Sequence, residues 1–394
     1  MNIRKITFGN FKSLYNAAFE PGKVNVFIGA NGSGKTTILE AIGLLSAAMT
    51  DRVDSSSLQR KGVRLSIPSL YKSSFKDLKR QRSMIDLSLE WEDDCCTDKF
   101  RYDVHLTTPT DTDYWKYHSE AFLQNGEKIW GRSNASQQQS NSYIGFFLID
   151  NDPELTTGRK IAEDFSSYGI FQPNTLTLRG TIPDPNQVSP VGLNGGRLAE
   201  AIRTLIHEND GDLFFGNLYM DDILDMIDWA SDISVDTPKK TTINANIPTT
   251  RQVIEFTDRY MKDTARFTGY DASEGALHVL FMLTLAMHPM GPSIFSVDSF
   301  DHALNPRLAK KMIQVFCEQI IQNNKHVFLT THNPLVLDGL DLQNDDIRLF
   351  AVDRDSNGYA QIRRISVSQE LIDEGLPLSR LWISGRLGGV PSLL

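Results

Sequence analysis

An α/β fold built on a mixed central sheet is what this sequence predicts, and three observations predict it. Residues 24–28, Val-Asn-Val-Phe-Ile, read as a buried strand that runs through a glycine-rich turn into a helical pattern opening at Lys35. Two later apolar runs, 292–298 and 325–331, end in polar residues, as strands do when they deliver side chains to the ligand-bearing edge of an open sheet. Short runs alternating at period two, 84–91 and 99–106, add an antiparallel component.

Taken in order, residues 3–8 alternate as a strand and lead through Phe11-Lys12-Ser13-Leu14 to the core strand at 24–28. The helix after the glycine turn is expected to reach about Met49, because Ile38, Ile42 and Leu45 recur on one face. The polar stretch from Thr50 to Ser57 ends it. The alternating runs predict a hairpin or meander joined by the acidic turn at 92–98. Residues 131–142 are polar and of low complexity (Ser136-Gln137-Gln138-Gln139-Ser140-Asn141), which predicts a mobile loop. Prolines and the Asn194-Gly195-Gly196 turn predict irregular chain over 172–196, and helical spacing returns over 197–208 and 218–229. A Pro- and Thr-rich connector occupies 236–250. The sequence thus divides into one split domain, residues 1–110 and 251–394, with a mainly helical insert over 111–250. No heptad array and no internal repeat is present.

Composition excludes several classes. A chain of 394 residues with 40% hydrophobic and 23% charged residues is long enough for a substantial core and ordinary for a soluble protein. No run of about 18 apolar residues offers a membrane span, and the N-terminus goes straight into a strand pattern without the apolar core of a signal peptide. Three cysteines, two of them adjacent (Cys95 and Cys96), make no disulfide framework and no metal spacing, so a reducing cytoplasm is expected. A net charge of -9 argues against coating nucleic acid over the whole surface. Locally the balance reverses: residues 59–82 carry Arg60, Lys61, Arg64, Lys72, Lys76, Lys79, Arg80 and Arg82 against the single acid Asp77. Such a cluster is either a solvated surface or a DNA- or RNA-phosphate contact.

The chemistry is carried by spacing. Gly29, Gly34, Lys35 and Thr36 satisfy G-x-x-x-x-G-K-[ST], between a strand and a helix. Strand, glycine loop and helix aim backbone N–H groups and a helix N-terminus at a phosphate. Candidate contacts are Asn31, Gly32, Ser33, Gly34, Lys35, Thr36 and Thr37. The run 292–298 ends in Asp298, the placement that sets an acid beside Mg²⁺ opposite such a loop. The run 325–331 leads into His332 at a strand's carboxyl end. The segment Asp271-Ala272-Ser273-Glu274-Gly275 turns into an apolar helix and makes a second potential anion site. Taken singly, Asp298 reads equally as a turn cap, His332 as a core histidine and Ser273 as an N-cap.

In this order the segments resemble an ATP-binding-cassette (ABC) head, a P-loop NTPase of the RecF/SMC/OLD group, related to the compact AAA ATPases of bacterial phage-defence operons. Residues 29–36 match its Walker A motif, 294–298 its Walker B motif, Ser273-Glu274-Gly275 its signature motif and His332 its switch histidine. Leu304-Asn305-Pro306 resembles its D-loop neighbourhood. The segment from Leu378 to Pro391 resembles Septu- and retron-associated, PtuA-like ATPases. The resemblance implies ATP and Mg²⁺ as cofactors, with Lys35 on the β- and γ-phosphates and Thr36 and Asp298 at the metal. It also implies a homodimer or larger homo-oligomer in which Ser273 and Gly275 of one head close on the nucleotide of the other, and His332 senses the γ-phosphate. A separate effector, an HNH-type nuclease, is the partner it suggests.

Two departures matter. Where the family has a glutamate after the Walker B aspartate, this sequence has Ser299, which is no general base without a partner. Either Asp301 takes that place or hydrolysis is slow or absent, and the second reading is preferred. The family's glutamine between metal and lobe interface is not evident; Gln59 and Gln81 are candidates by position. Asp353-Arg354-Asp355 superficially matches the D-x-D of a Toprim nuclease, but Asp355-Ser356-Asn357-Gly358 is a hairpin-turn signal. The leading expectation is an ATP-driven dimer that regulates a nuclease in antiphage defence. The alternatives are a non-hydrolysing ATP-bound scaffold and a RecF-like DNA-repair clamp.

Overall fold

The computed structural model describes residues 2–50, 52–92, 98–110, 113–132, 140–142, 156–239, 242–244, 246–247, 250–262, 266–366 and 375–390. The chain opens with an antiparallel pair, β1 (Asn2–Phe11) and β2 (Leu14–Phe19), and enters β3 (Val24–Ile28). All of β3 is buried, and the period of two divides it between cores: Val24, Val26 and Ile28 face one, Phe27 the other. Asn25 tolerates burial because its amide is used on both sides, Oδ1 accepting from the Gly22 N–H and Nδ2 donating to the Gly22 and Val327 carbonyls. The helix α1 (Lys35–Thr50) is buried on nearly every side, which explains why its residues are apolar around the whole circumference rather than along a stripe. Then come α2 (Ser55–Arg60), opened by a capping box on Asp54, and the single turn α3 (Pro68–Tyr71).

The expected hairpin is present. β4 (Met84–Glu92) and β5 (Lys99–Thr107) pair antiparallel along their full length; residues 93–97 of the acidic turn lie outside the described residues. β6 (Lys116–Gln124) and β7 (Glu127–Arg132) extend this sheet to the order β2-β1-β4-β5-β6-β7. Beyond it are α4 (Thr156–Ser166), β8 (Ile170–Phe171), α5 (Thr175–Leu178) and α6 (Leu198–Leu205). A small sheet of β9 (Ile206–Asn209), β10 (Asp212–Phe215) and β11 (Leu218–Tyr219) precedes α7 (Met220–Met226). Another joins β12 (Ala230–Asp236), β13 (Val253–Asp258) and β14 (Arg266–Thr268).

The last stretch supplies α8 (Glu274–Met287), β15 (Ile294–Val297), α9 (Pro306–Gln322), β16 (His326–Thr330), α10 (Pro334–Leu337), β17 (Ile347–Arg354), β18 (Ala360–Ile365) and α11 (Leu378–Ile383). The central sheet has the order β18-β17-β3-β16-β15-β8. Its strands run parallel except at β18, which pairs antiparallel with β17, so the sheet is mixed as expected. Phe19, Phe27 and Phe350 interlock between the two large sheets with ring centroids 5.3–5.4 Å apart.

The mainly helical insert over 111–250 needs correction. Its described residues hold strands β6 to β12 as well as helices α4 to α7. Both expected borders also cut sheets: β5 pairs with β6 across residue 110, and β12 with β13 across residue 250. The helix expected over 197–208 stops at Leu205, because Asp210 and Gly211, both at positive φ (53° and 88°), form the two-residue turn of the β9–β10 hairpin. The helix expected over 218–229 is α7, Met220–Met226. Most of the polar loop at 131–142, residues 133–139, lies outside the described residues. Asp353-Arg354-Asp355 enters the turn of the β17–β18 hairpin, as the turn signal indicated. Among the described residues no helix is long and apolar enough to cross a membrane.

Candidate functional site

The glycine loop leaves the carboxyl end of β3, between its parallel neighbours β16 and β17. Two glycines are required by space. A Cβ on Gly29 would lie 2.4 Å from the Val352 carbonyl, and one on Gly34 (φ +122°) would lie 2.9 Å from Ser13 Oγ. The loop is braced from outside: Arg354 Nε donates to the Gly32 carbonyl at 2.9 Å, and a Cβ on Gly389 would stand 3.2 Å from Gly29 Cα. That last contact belongs to the ribbon after α11, where Asp353 accepts the Gly389 N–H at 2.9 Å and the Leu387 carbonyl accepts from Arg363 at 2.6 Å.

Lys35 is buried at the start of α1 and its Nζ donates to the Gly29 and Ala30 carbonyls, 2.7 and 3.1 Å away. Burial pulls its ammonium pKa down to about 8, against the pull of the Asp298 carboxylate. Ser33 Oγ is buried without a hydrogen-bond partner, and Gly32 has open space where a side chain would be. Asn31 and Gly32 are exposed, and Thr37 half-buried in the first turn of α1. An ammonium, an unpartnered hydroxyl and a helix N-terminus on one loop suit a phosphate chain.

Asp298, just past β15, meets the loop from the neighbouring strand. Thr36 Oγ1 donates to it at 3.0 Å, and Thr330 Oγ1, at the end of β16, at 2.5 Å. A hydroxyl and a carboxylate oxygen this close could supply the protein share of a Mg²⁺ shell, which keeps several positions for water and phosphate oxygens. Asp301 lies at the next turn, where its Oδ1 accepts from Thr331 Oγ1 at 2.6 Å and from the His332 backbone N–H at 3.2 Å. The His332 ring is exposed; partial burial, then Lys35, lower its pKa. Sequence-predicted Lys35, Thr36, Asp298, Asp301 and His332 therefore converge.

Ser273 and Gly275 stand apart from that group. Ser273 is the exposed N-cap of α8, its Oγ accepting from the Ala276 N–H at 3.2 Å, and neither residue lines the cleft between Thr36 and Asp298. That cleft is lined instead by Gln59, Arg64, Gln172 and Asn194. Gln172 is the residue sequence reasoning missed. It follows β8, the strand that pairs with the Asp298-bearing β15, and it reaches the cleft from there. Only two residues of strand precede it, too few for any periodicity to register. Of the two glutamines expected here, Gln59 lines the same cleft and Gln81 does not; the Gln81 amide is bonded to the Ser73 carbonyl.

One further group was not anticipated. Glu40, one helical turn beyond Thr36, is fully buried and gripped by Lys12 and Arg64, each at 2.6 Å. Burial alone would raise its pKa, but hydrogen bonds from Arg64 and Lys12 outweigh burial and hold it below the usual range. The basic cluster at 59–82 is thereby partly spent. Arg64 serves Glu40, buried Lys61 donates to the Ser166 carbonyl, and Arg82 lies 4.4 Å over the Tyr15 ring. Arg60, Lys76, Lys79 and Arg80 stay exposed.

Parts of the chain match known proteins. Residues 1–150 match a family described as AAA ATPase domain, and residues 182–338 one described as AAA domain, putative AbiEii toxin, Type IV TA system. Two curated relatives are DNA replication and repair proteins RecF. The one from Phocaeicola vulgatus is 36% identical over 76 residues, 18% of this chain and 20% of that protein. The one from Renibacterium salmoninarum is 44% identical over 55 residues, 14% of each chain. The match thus spans a fifth or less of the length of these relatives. Among solved structures, an SMC head bound to the C-winged helix domain of ScpA aligns with TM-score 0.55 at 13% identity, over 94% of this chain and all of that one. The SMC head with coiled coil and joint from Pyrococcus yayanosii gives 0.51 at 10% identity, over 97% and 99%. At such identities the likeness is one of fold.

The chain has the fold of these SMC heads, a P-loop NTPase fold, and two of its segments match AAA-type family models. Where the resemblance places a glutamate the chain has Ser299, which stands at φ +62° with its N–H donated to Thr330 Oγ1 at 2.8 Å. Beyond Asp298, the next carboxylate along the chain is Asp301, held by Thr331 Oγ1 and the His332 N–H.

Proposed function

We propose that this head binds Mg²⁺-ATP, pairs with a second copy around the nucleotide, and so controls a separate effector, an HNH-type nuclease, in bacterial antiphage defence. One observation carries the dimer: the signature turn is exposed and outside the cleft that joins the glycine loop to Asp298. Each head thus holds two halves of different sites, and a second head completes both. The antiphage and nuclease assignments draw on the likeness of the sequence from Leu378 to Pro391 to PtuA-like ATPases. The family described as a putative toxin of a type IV system, matched over 182–338, is in keeping with a two-component arrangement.

Lys35 would neutralise the β- and γ-phosphates, and Thr36 with Asp298 would hold the ion. Bound Mg²⁺ supplies charge screening between phosphate oxygens. Loop amides around Gly32, Ser33 and Gly34 orient the phosphate chain, and Gln172 reaches the same cleft from the lobe that carries α5. Ser273 and Gly275 would cap the γ-phosphate of the other head, so ATP favours the paired state by contacts only that state makes. His332 would donate to or sense the γ-phosphate. Sedimentation velocity with and without Mg²⁺-ATP tests the core of this reading. A nucleotide-dependent dimer that Lys35→Ala prevents is expected, and a monomer under both conditions refutes it.

Ser299 favours a second reading, a head that holds ATP without turning it over. Single-turnover hydrolysis by wild type, Ser299→Glu and Asp301→Ala separates the two. Turnover abolished by Asp301→Ala identifies a displaced base; no turnover until Ser299→Glu identifies the ATP-locked scaffold.

A further inference from the structure

The second residue of the signature turn, Glu274, is a carboxylate at the first turn of α8, beside an anion-competent N-terminus where a negative charge would repel phosphate. It is not free. Its Oε1 lies 3.3 Å from Nε2 of His302 and also accepts from Thr175 Oγ1. His302 follows Asp301 directly, and Thr175 opens α5 three residues after Gln172. The two partners of Glu274 are therefore tied by short lengths of backbone to Asp301, which holds Thr331 and the His332 N–H, and to Gln172, which lines this head's own cleft.

Backbone contacts reinforce the link. A Cβ on Gly275 would stand 3.1 Å from the Ala303 carbonyl, so the turn rests against the segment after Asp298. One turn deeper in α8, buried His278 sits 2.9 Å from the Phe300 carbonyl; burial holds its pKa down to about 4, so it stays neutral and donates there. The first two turns of α8 thus touch residues 300, 302 and 303.

We propose that Glu274 is a positioning residue that couples a head's own nucleotide cleft to the signature turn it presents to another molecule, through His302 on one side and Thr175 on the other. This rests on the reading of the cleft as an ATP site. Anything that shifts Gln172 or Asp301 shifts Thr175 or His302, and Glu274 transmits the displacement to the helix end that carries Ser273 and Gly275. The contacts with His302 and Thr175 also hold the carboxylate against the residue 300–303 segment and α5, leaving the helix N-terminus to an incoming anion.

Hydrogen exchange resolved to single amides is the test, on the full chain at a concentration where sedimentation finds single heads, with and without Mg²⁺-ATP. In wild type, nucleotide is expected to slow exchange both at 33–38 and at 275–278. In Glu274→Ala the slowing at 33–38 should persist and that at 275–278 should vanish. Glu274→Gln, which keeps an acceptor for Thr175 but loses the carboxylate charge, should restore part of it. His302→Ala added to Glu274→Ala should change nothing more, because both remove one linkage. Equal slowing at 275–278 in wild type and Glu274→Ala overturns the proposal, as does a wild type that responds only at 33–38. No response at 33–38 refutes the nucleotide reading itself, and the coupling with it. Loss of self-association alone bears only on the dimer.

Discussion

The glycine loop and the signature turn are both helix N-termini suited to an anion, but the protein builds them in opposite ways. The loop is walled in: Gly29 touches Val352, Gly34 touches Ser13 and Ala360, Arg354 holds Gly32, and Gly389 closes the base. Lys35 is buried there and charged at a cost that a phosphate would offset. The turn at Ser273 is exposed, and near Gly275, among the described residues outside its own helix, only the Ala303 carbonyl comes within 4 Å of a Cβ position. A preorganised loop completes itself within one chain. An open turn is what the proposed pairing of two heads needs.

Breaking the loop should give the largest effect. Lys35→Ala removes a buried charge-assisted contact of about 2–3 kcal/mol, so equilibrium titration with a fluorescent ATP analogue should weaken about a hundredfold. Glu40→Gln comes next, costing about 1.5–3 kcal/mol in denaturant unfolding because two cations lose their carboxylate. Glu40 titrates below its unfolded value, so its stabilisation is present above the ordinary carboxylate pKa and is lost as pH falls through the lowered one. The gap between wild type and variant should accordingly close in acid. On the open side, Ser273→Arg should weaken ATP-driven self-association about tenfold, roughly 1.4 kcal/mol, and a dimer of undiminished affinity would remove the outward-facing role of the turn. Ser299→Gly should stabilise the head by about 1 kcal/mol by relieving a side chain at φ +62°, a small rise in melting temperature.

The smallest signal is a proton. Between the lowered pKa of Lys35, about 8, and its ordinary value of 10.5, the unfolded chain binds more protons than the folded one, so this lysine makes stability rise with pH across that window. A phosphate beside Nζ raises the pKa again. Calorimetry of ATP binding at pH 8 in buffers of different ionisation enthalpy should therefore find uptake of about half a proton, absent at pH 6.5 and absent in Lys35→Met. No uptake at pH 8 would mean that the lysine is already fully charged.

Much of the loop side was legible in sequence because its signals are local. Strand β3, the glycine spacing and α1 are contiguous, and Asp298 and His332 each end an apolar run. What was not legible depends on neighbours distant in the chain. β8 is two residues long and is a strand only because β15 lies beside it, so Gln172 went unseen. Glu40 looked like one more polar residue of a helix until Lys12 and Arg64 closed on it. The same cause made 111–250 read as helical: β6 owes its place to the edge of β5, and the β9–β10 hairpin to two left-handed residues at Asp210 and Gly211. The basic run at 59–82 was legible only in part, since three of its charges are engaged at Glu40, Ser166 and Tyr15 while Arg60, Lys76, Lys79 and Arg80 stay exposed.

The position of β3 has a consequence for how the protein is made. Its two sheet partners, β16 and β17, begin at His326 and Ile347, and Gly29 is packed by Val352 and by the ribbon at Gly389. During translation the glycine loop leaves the ribosome long before β16 and β17, so it waits for its flanking strands. A ribosome that stalls before β16 releases a polypeptide that carries every letter of the phosphate motif but neither of the strands that flank β3.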